Sequence, residues 1–127
     1  WENESRPLFN LLYRLLVHLG AARQLDAALR AFELQALDIL GYRPQLDVCV
    51  ICARPLQPVT NGFSSTAGGV LCPLCRGREA DQRDITANTL AVLRHLQKGG
   101  LAVTEEMPLP PSVRIEAESI LGEYLGR

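Results

Sequence analysis

Hydrophobic residues recur every three or four positions near the start of the chain, which predicts a first helix. Pro7 suits the first turn of this helix, and Gly20 suits its end. Six leucines share one face of the 3.6-residue repeat, namely Leu8, Leu11, Leu12, Leu15, Leu16 and Leu19.

A second helix is predicted from about Leu25 to Leu40, where Gly41 ends it. Asp26 and Arg30 are spaced for an i, i+4 ion pair on its exposed side. The spacing of the apolar residues predicts a core face made of Leu25, Ala28, Leu29, Phe32, Ala36, Leu37 and Leu40.

Between Leu46 and Arg78 the helical period disappears, and prolines and glycines become frequent. Two short β-prone pieces, around 63–66 and 70–71, predict a hairpin. The few large apolar residues of this segment cannot offset an ordering cost of roughly 1.5 kcal/mol per residue. Another source of stability must therefore hold it.

The helical pattern resumes after Asp84 or Thr86 and ends near Gly99. The last helix is predicted to begin at 110–111, with a face made of Val113, Ala117, Ile120, Leu121, Tyr124 and Leu125. Its acidic residues are expected to form a solvated face, namely Glu116, Glu118 and Glu123.

These patterns predict a mainly α fold, a helical bundle-like domain with a small inserted module of knuckles and a β-hairpin. We expect residues 1–46 to form the first half of the helical domain and residues 79–127 the second half. Residues 47–78 are expected to form the insert.

Four cysteines lie in that insert as two C-x-x-C pairs with nineteen residues between the pairs, at Cys49, Cys52, Cys72 and Cys75. This spacing is typical of a four-cysteine site for one structural Zn²⁺. Such binding supplies an apparent free energy on the order of 10–16 kcal/mol, which the insert lacks.

Other uses of the cysteines fit less well. Two disulfides need an oxidising compartment, and a thioredoxin-like redox pair needs a βαβ setting that the pattern lacks. A catalytic zinc needs an open coordination position, whereas four thiolates close the shell. Iron in place of zinc is not distinguished by spacing alone.

Composition narrows the function classes. The 127 residues are 47% apolar and carry a formal charge of −1, which disfavours a polybasic nucleic-acid binder and an acidic disordered tail. No apolar stretch approaches the roughly 20 residues of a membrane span, and no secretory signal begins the chain, so we expect a soluble, intracellular protein. Because the chain does not begin with Met, we expect an excised fragment or a processed chain.

Several arginines flank the cysteines, and two interpretations of them stay open. They offset the negative charge of the metal cluster, which takes the formal charge of the chain from −1 to about −3. Alternatively, they contact nucleic-acid phosphates in a salt-sensitive way. The candidates for phosphate contact are Arg54, Arg76, Arg78 and Arg83.

One run of residues resembles the C-terminal part of the RecO family of bacterial DNA repair and recombination proteins. It comprises Phe32-Glu33-Leu34, Leu37, Leu40-Gly41-Tyr42, Pro44, Leu46, the two cysteine pairs, Phe63-Ser64 and Gly68-Gly69. The resemblance is densest from about residue 25 to residue 76. One departure is Ala53, because glycine often follows the second cysteine of such knuckles.

The resemblance implies a recombination mediator without bond-breaking enzymatic activity. It implies single- and double-stranded DNA binding, mainly through an N-terminal OB-fold preceding Trp1, and strand annealing. It also implies that RecR is a partner in loading RecA onto DNA covered by single-strand-binding protein, which is itself a partner. Zinc would sit on the four cysteines, and the protein would act in the bacterial cytoplasm, associated with the nucleoid.

Our leading interpretation is therefore a zinc-stapled scaffold and partner-binding domain of a RecO-like mediator. The alternative is a zinc-ribbon interaction module of an unrelated regulatory or transcription-associated protein. A third class, a thiol-based redox or zinc-dependent enzyme, predicts easy alkylation of the native thiols.

Overall fold

The computed structural model describes residues 7–8, 10–14, 25–104 and 108–126 and has a mainly α fold. Residues 7–8 and 10–14 are helical, and we name them α1. The predicted end of this helix at Gly20, and the leucines at 15, 16 and 19, lie outside the described residues. None of the described helices has the length and apolar composition needed to cross a membrane.

Helix α2 is Leu25–Ile39, close to its predicted bounds. A Schellman cap ends it: the N–H of Gly41 donates to Asp38 O at 3.1 Å, and that of Tyr42 donates to Leu37 O at 2.8 Å. Gly41 has φ of +87°, a conformation that costs glycine little.

The predicted core face of α2 was partly wrong, because the buried stripe is rotated around the helix. Leu40 is 56% exposed, and Phe32 and Ala36 are only partly buried. The described side chains that are buried on this helix include Ala27, Ala28, Ala31, Leu34 and Leu37.

The predicted i, i+4 ion pair on α2 was also wrong. Arg30 is buried and its Nε lies 2.6 Å from Glu33 Oε1, one turn away at i+3. Asp26 instead faces Arg114, with 3.9 Å between the charged atoms.

A three-stranded antiparallel sheet follows, with β1 (Asn61–Ser64) between β2 (Gly69–Leu71) and β3 (Arg83–Ile85). The β1–β2 hairpin was predicted, and Phe63 pairs there with Val70. The strand β3 was not predicted, and it extends the sheet beyond residue 78. The division of the chain into 1–46, 47–78 and 79–127 stays a prediction.

Helix α3 is Ala87–Gly99, and a 3₁₀ turn, Gly100–Val103, follows it. Of the two predicted caps, Thr86 is the N-cap of α3, and its hydroxyl accepts a hydrogen bond from the N–H of Thr89. Asp84 belongs to β3 instead.

Helix α4 is Pro111–Tyr124, and four of its six predicted core residues are buried. Its predicted acidic face is not simply solvated. The carboxylate of Glu116 accepts hydrogen bonds from the N–H of Thr86 at 2.6 Å and from its hydroxyl at 3.1 Å. Glu123 forms an ion pair with Arg83 at 3.1 Å.

One continuous core joins the helices to the sheet. Helices α2, α3 and α4 pack on one another, and the same buried cluster includes Phe63 and three of the cysteines. Phe63 meets the ring of Tyr124 edge to face, with 5.8 Å between centroids. The Tyr124 hydroxyl donates to Tyr42 O at 2.8 Å, which links α4 to the end of α2. The insert is therefore packed into the helical body.

Candidate metal centre

The first cysteine pair forms a tight knuckle. The N–H of Ala53 donates to Cys49 O at 2.9 Å, and the N–H of Cys49 donates to Arg54 O at the same distance. Ala53 has φ of +63°, the left-handed conformation that explains why glycine is common at this position. The N–H of Ile51 points at Cys49 Sγ, 3.4 Å away.

The second pair is placed by the end of β2 and by a short 3₁₀ helix, Arg76–Arg78. The N–H of Cys75 donates to Cys72 O at 2.9 Å, and the N–H of Arg78 donates to Cys75 O at 3.0 Å. These two turns bend the chain around the Cys72 and Cys75 sulfurs.

Backbone pairing beside β2 brings the two knuckles together. The N–H of Val50 donates to Val70 O and that of Val70 donates to Gln45 O, both at 3.0 Å. Gly69 allows this close approach, because a Cβ there would lie 2.4 Å from Gln45 O.

Helix α3 fixes the segment that leads into the first knuckle. Arg94 donates to Asp47 O at 2.9 Å, and the side chain of Gln97 donates to Pro44 O at 3.0 Å. The knuckle is thereby attached to the helical body as well as to the sheet.

The four cysteine sulfurs converge on one point, with every pair of Sγ atoms within 4.8 Å. Cys52 Sγ and Cys72 Sγ are 3.7 Å apart. Metal–sulfur bonds of about 2.3 Å in a tetrahedron place sulfurs about 3.8 Å apart, so the spacing fits a four-coordinate metal. All four cysteines are free, and their common convergence favours a shared metal over two separate disulfides.

The surroundings of the sulfurs shift the pKa values of two of the cysteines in opposite directions. Burial raises the pKa of the Cys49 thiol, but hydrogen bonds from the backbone N–H groups of Cys52, Cys72 and Ile51 outweigh burial and lower that pKa to about 6. Burial, followed by hydrogen bonds with the other three cysteines, raises the pKa of Cys75 to about 12. A bound cation would compensate the buried negative charge and favour four thiolates.

The four arginines that were predicted to contact phosphates differ in whether they form ion pairs within the chain. Arg76 is an ion-pair partner of Asp84 and donates to Gln82 at 3.0 Å. Arg83 donates to Ser119 at 2.7 Å and pairs with Glu123. Arg54 and Arg78 have exposed side chains and form no ion pair with any residue that the structure describes.

Asp81 holds the turn that follows β1, a role that the sequence pattern did not indicate. Its carboxylate accepts hydrogen bonds from the Ser64 hydroxyl at 2.6 Å and from the N–H and hydroxyl of Thr66, both at 2.9 Å. These bonds, led by the one from Ser64, hold the pKa of Asp81 below its usual value. No local signal identifies this residue, because its partners lie 15 and 17 positions away.

Comparisons with known proteins show which proteins the chain is similar to. The family described as "Recombination protein O C terminal" matches residues 2–127. A "DNA repair protein RecO" from Roseiflexus sp. (strain RS-1) is 40% identical over 124 residues, which cover 98% of this chain and 44% of that protein. No solved structure was found to match the chain.

Two further relatives carry the same name. The protein from Anaeromyxobacter sp. (strain K) is 41% identical over 118 residues, covering 93% of this chain and 46% of the relative. The protein from Dehalococcoides mccartyi (strain ATCC BAA-2100 / JCM 16839 / KCTC 5957 / BAV1) is 36% identical over 102 residues, covering 80% of this chain and 40% of the relative. The chain thus spans less than half the length of these relatives.

Proposed function

The chain belongs to the RecO family of DNA repair proteins, and from this membership we propose that it is the C-terminal scaffold domain of a recombination mediator. The membership replaces the alternative of an unrelated zinc-ribbon protein. The observation that carries the structural part of the proposal is the convergence of four thiols at the junction of sheet and helices.

The proposed cofactor is one structural Zn²⁺, held by Cys49, Cys52, Cys72 and Cys75. Zinc bound there cross-links two knuckles and supplies stability that the short strands lack. Four thiolates close the coordination shell, so we assign the metal a structural role and propose no enzymatic activity for the domain. Native mass spectrometry is expected to find one zinc per chain.

The control for the metal is a chain in which all four cysteines are replaced by Ser. We expect it to bind no zinc and to lose the far-UV and near-UV circular dichroism of the folded domain. A four-Ser chain that folds and melts like the unmodified protein contradicts the structural role.

The proposed DNA contacts of this domain are Arg54 and Arg78, which are exposed and form no ion pair with any residue that the structure describes. Each of these two guanidinium groups can contact a phosphate without first breaking an ion pair to a described residue. The main DNA surface is proposed to be an N-terminal OB-fold of the whole protein. This division fits the near-neutral charge of the present chain.

A salt titration of DNA binding tests this assignment on the full-length protein. Arg54→Ala with Arg78→Ala is expected to reduce the slope of log affinity against log salt by about 1 for each lost contact. The matched control is Arg76→Ala, which removes an arginine engaged with Asp84. An unchanged slope in the double variant overturns the assignment, as does an equal loss in the control.

We further propose that the whole protein acts in the bacterial cytoplasm, associated with the nucleoid. Its proposed partners are RecR, single-strand-binding protein, and single- and double-stranded DNA. With RecR it would help to load RecA onto DNA covered by single-strand-binding protein, and it would anneal complementary strands. Strand annealing by the full-length protein, measured with and without this domain, tests the contribution of the scaffold. Equal annealing by the truncated protein contradicts that contribution.

A further inference from the structure

The four proposed zinc ligands are not equally protected from solvent. Cys49, Cys72 and Cys75 are buried, with exposures of 1%, 7% and 5%, and they belong to the continuous core. Cys52 is the exposed member of the cluster. A reagent in solution therefore reaches the cluster first at Cys52.

The local backbone explains this exposure. Cys52 lies on the turn of the first knuckle, between Ile51, which is 38% exposed, and Ala53, which is also exposed. A cavity of about 390 Å³ reaches the Cys72 side of the cluster. Arg54, Pro55, Gln57, Cys72, Pro73 and Leu74 line it.

We propose that Cys52 is an oxidative modification site, at which hydrogen peroxide oxidises the sulfur and Cys72 resolves the product into a Cys52–Cys72 disulfide with release of zinc. The proposal rests on the proposed zinc site. The two sulfurs lie 3.7 Å apart, so a side-chain movement of under about 2 Å brings them to the S–S bond length of about 2.05 Å.

The chemistry balances with the peroxide as the sole oxidant. The Cys52 thiolate attacks one peroxide oxygen, the O–O bond breaks, and a hydroxide leaves, which gives a sulfenic acid. The Cys72 thiolate then attacks the Cys52 sulfur, forms the S–S bond, and expels a second hydroxide. Two thiolates lose two electrons, the peroxide gains them, and both hydroxides take up protons to become water.

With two thiolates lost, only the Cys49 and Cys75 sulfurs would remain to hold the proposed Zn²⁺, which is too few for a closed four-thiolate shell. The disulfide then joins the two knuckles in place of the metal. The first knuckle and the second thus stay connected, but the tetrahedral arrangement of all four sulfurs is lost.

The first test uses the unmodified, zinc-loaded full-length protein. The protein is treated with less than one equivalent of hydrogen peroxide in the presence of dimedone, which traps sulfenic acid. The dimedone adducts are then mapped by mass spectrometry. We expect the dimedone adduct at Cys52. Without dimedone we expect a Cys52–Cys72 disulfide and release of zinc, detected by a chromogenic chelator.

Several outcomes overturn the proposal. An adduct that forms first at Cys49 or Cys75 shows that Cys52 is not the cysteine oxidised first. A Cys49–Cys52 disulfide shows that Cys72 is not the resolving cysteine. Zinc that stays bound after disulfide formation excludes the release step. A protein purified without zinc overturns the zinc site and this proposal together, whereas bound zinc without preference for Cys52 overturns this proposal alone.

A pair of variants provides a second test with an independent readout. Cys52→His keeps a zinc ligand but removes the accessible thiol, so peroxide is expected to release zinc about tenfold more slowly. The matched control, Cys75→His, changes a buried ligand and keeps Cys52, so its release is expected to be no slower than that of the unmodified protein. Equal slowing in both variants overturns the proposal. If either variant binds no zinc, the adduct mapping on the unmodified protein decides the question.

Discussion

The substitution Phe63→Ala tests whether the inserted module, residues 47–78 with the four cysteines, and the helices form one cooperative unit. Phe63 lies in the central strand β1, is 1% exposed, and is among the largest fully buried side chains of the described residues. Its ring meets the ring of Tyr124 in α4 edge to face, so removal of the Phe63 ring affects both the sheet and the helical body.

The expected cost is about 3–5 kcal/mol of unfolding free energy, because Phe→Ala leaves a cavity in a packed core. The edge-to-face contact with Tyr124 accounts for about 0.5–1.5 kcal/mol of that cost. Domains of this size have unfolding free energies of about 5–15 kcal/mol, so the variant loses a large part of its stability.

Urea denaturation of the zinc-loaded chain measures the effect, with helix content followed by circular dichroism and zinc release followed in the same titration. We expect both signals to change together and at lower urea than in the unmodified chain. Val59→Ala is the matched control, since Val59 is in the same module but 44% exposed, and its cost is expected to stay within about 0.5 kcal/mol. A loss under about 1 kcal/mol for Phe63→Ala, or zinc release well before the helices unfold, refutes the single-unit reasoning.

Three further predictions concern the polar contacts. Tyr124→Phe removes the hydrogen bond to Tyr42 O and is expected to cost about 1 kcal/mol in urea denaturation, while an unchanged midpoint contradicts a role for that bond. Thr86→Ala removes the N-cap of α3 and is expected to cost about 0.5–2 kcal/mol by thermal melting; stability equal to that of the unmodified chain excludes this role. The lowered pKa of Asp81 means that its contribution is present above the unfolded pKa and is lost as pH falls through the folded pKa. Asp81→Asn should therefore flatten the acid side of a plot of urea midpoint against pH, and an unchanged slope there argues against the assignment.

Local signals in the sequence were sufficient for the described helices α2, α3 and α4 and for the convergence of the four cysteines. The bounds of α2 and α4 follow from apolar spacing together with Gly41 and the prolines, all of which act within a few residues. The cysteine spacing likewise predicted which side chains converge, because a two-residue gap by itself forms a knuckle.

Long-range pairing explains what the sequence pattern did not reveal. The strand β3 has only three residues and is defined by its pairing with β1, about twenty positions earlier in the chain. The partner of Arg83 and the carboxylate of Glu116 that accepts from the N–H of Thr86 both lie on α4, so these two contacts could not be predicted from neighbours along the chain. The buried stripe of α2 also depends on where α3 and α4 pack, which apolar spacing leaves open.

The hydrogen bond from Tyr124 to Tyr42 has a consequence for the order of events during synthesis. The two residues are 82 positions apart, which at about 5–20 residues per second corresponds to a delay of roughly 4–16 s on the ribosome. All four cysteines are made before α4, so their sulfurs can converge while the ring of Phe63 still lacks its aromatic neighbour. The contacts of Tyr124 with Phe63 and with Tyr42 can form only after α4 has been made, so the core shared by sheet and helices is completed last at this helix.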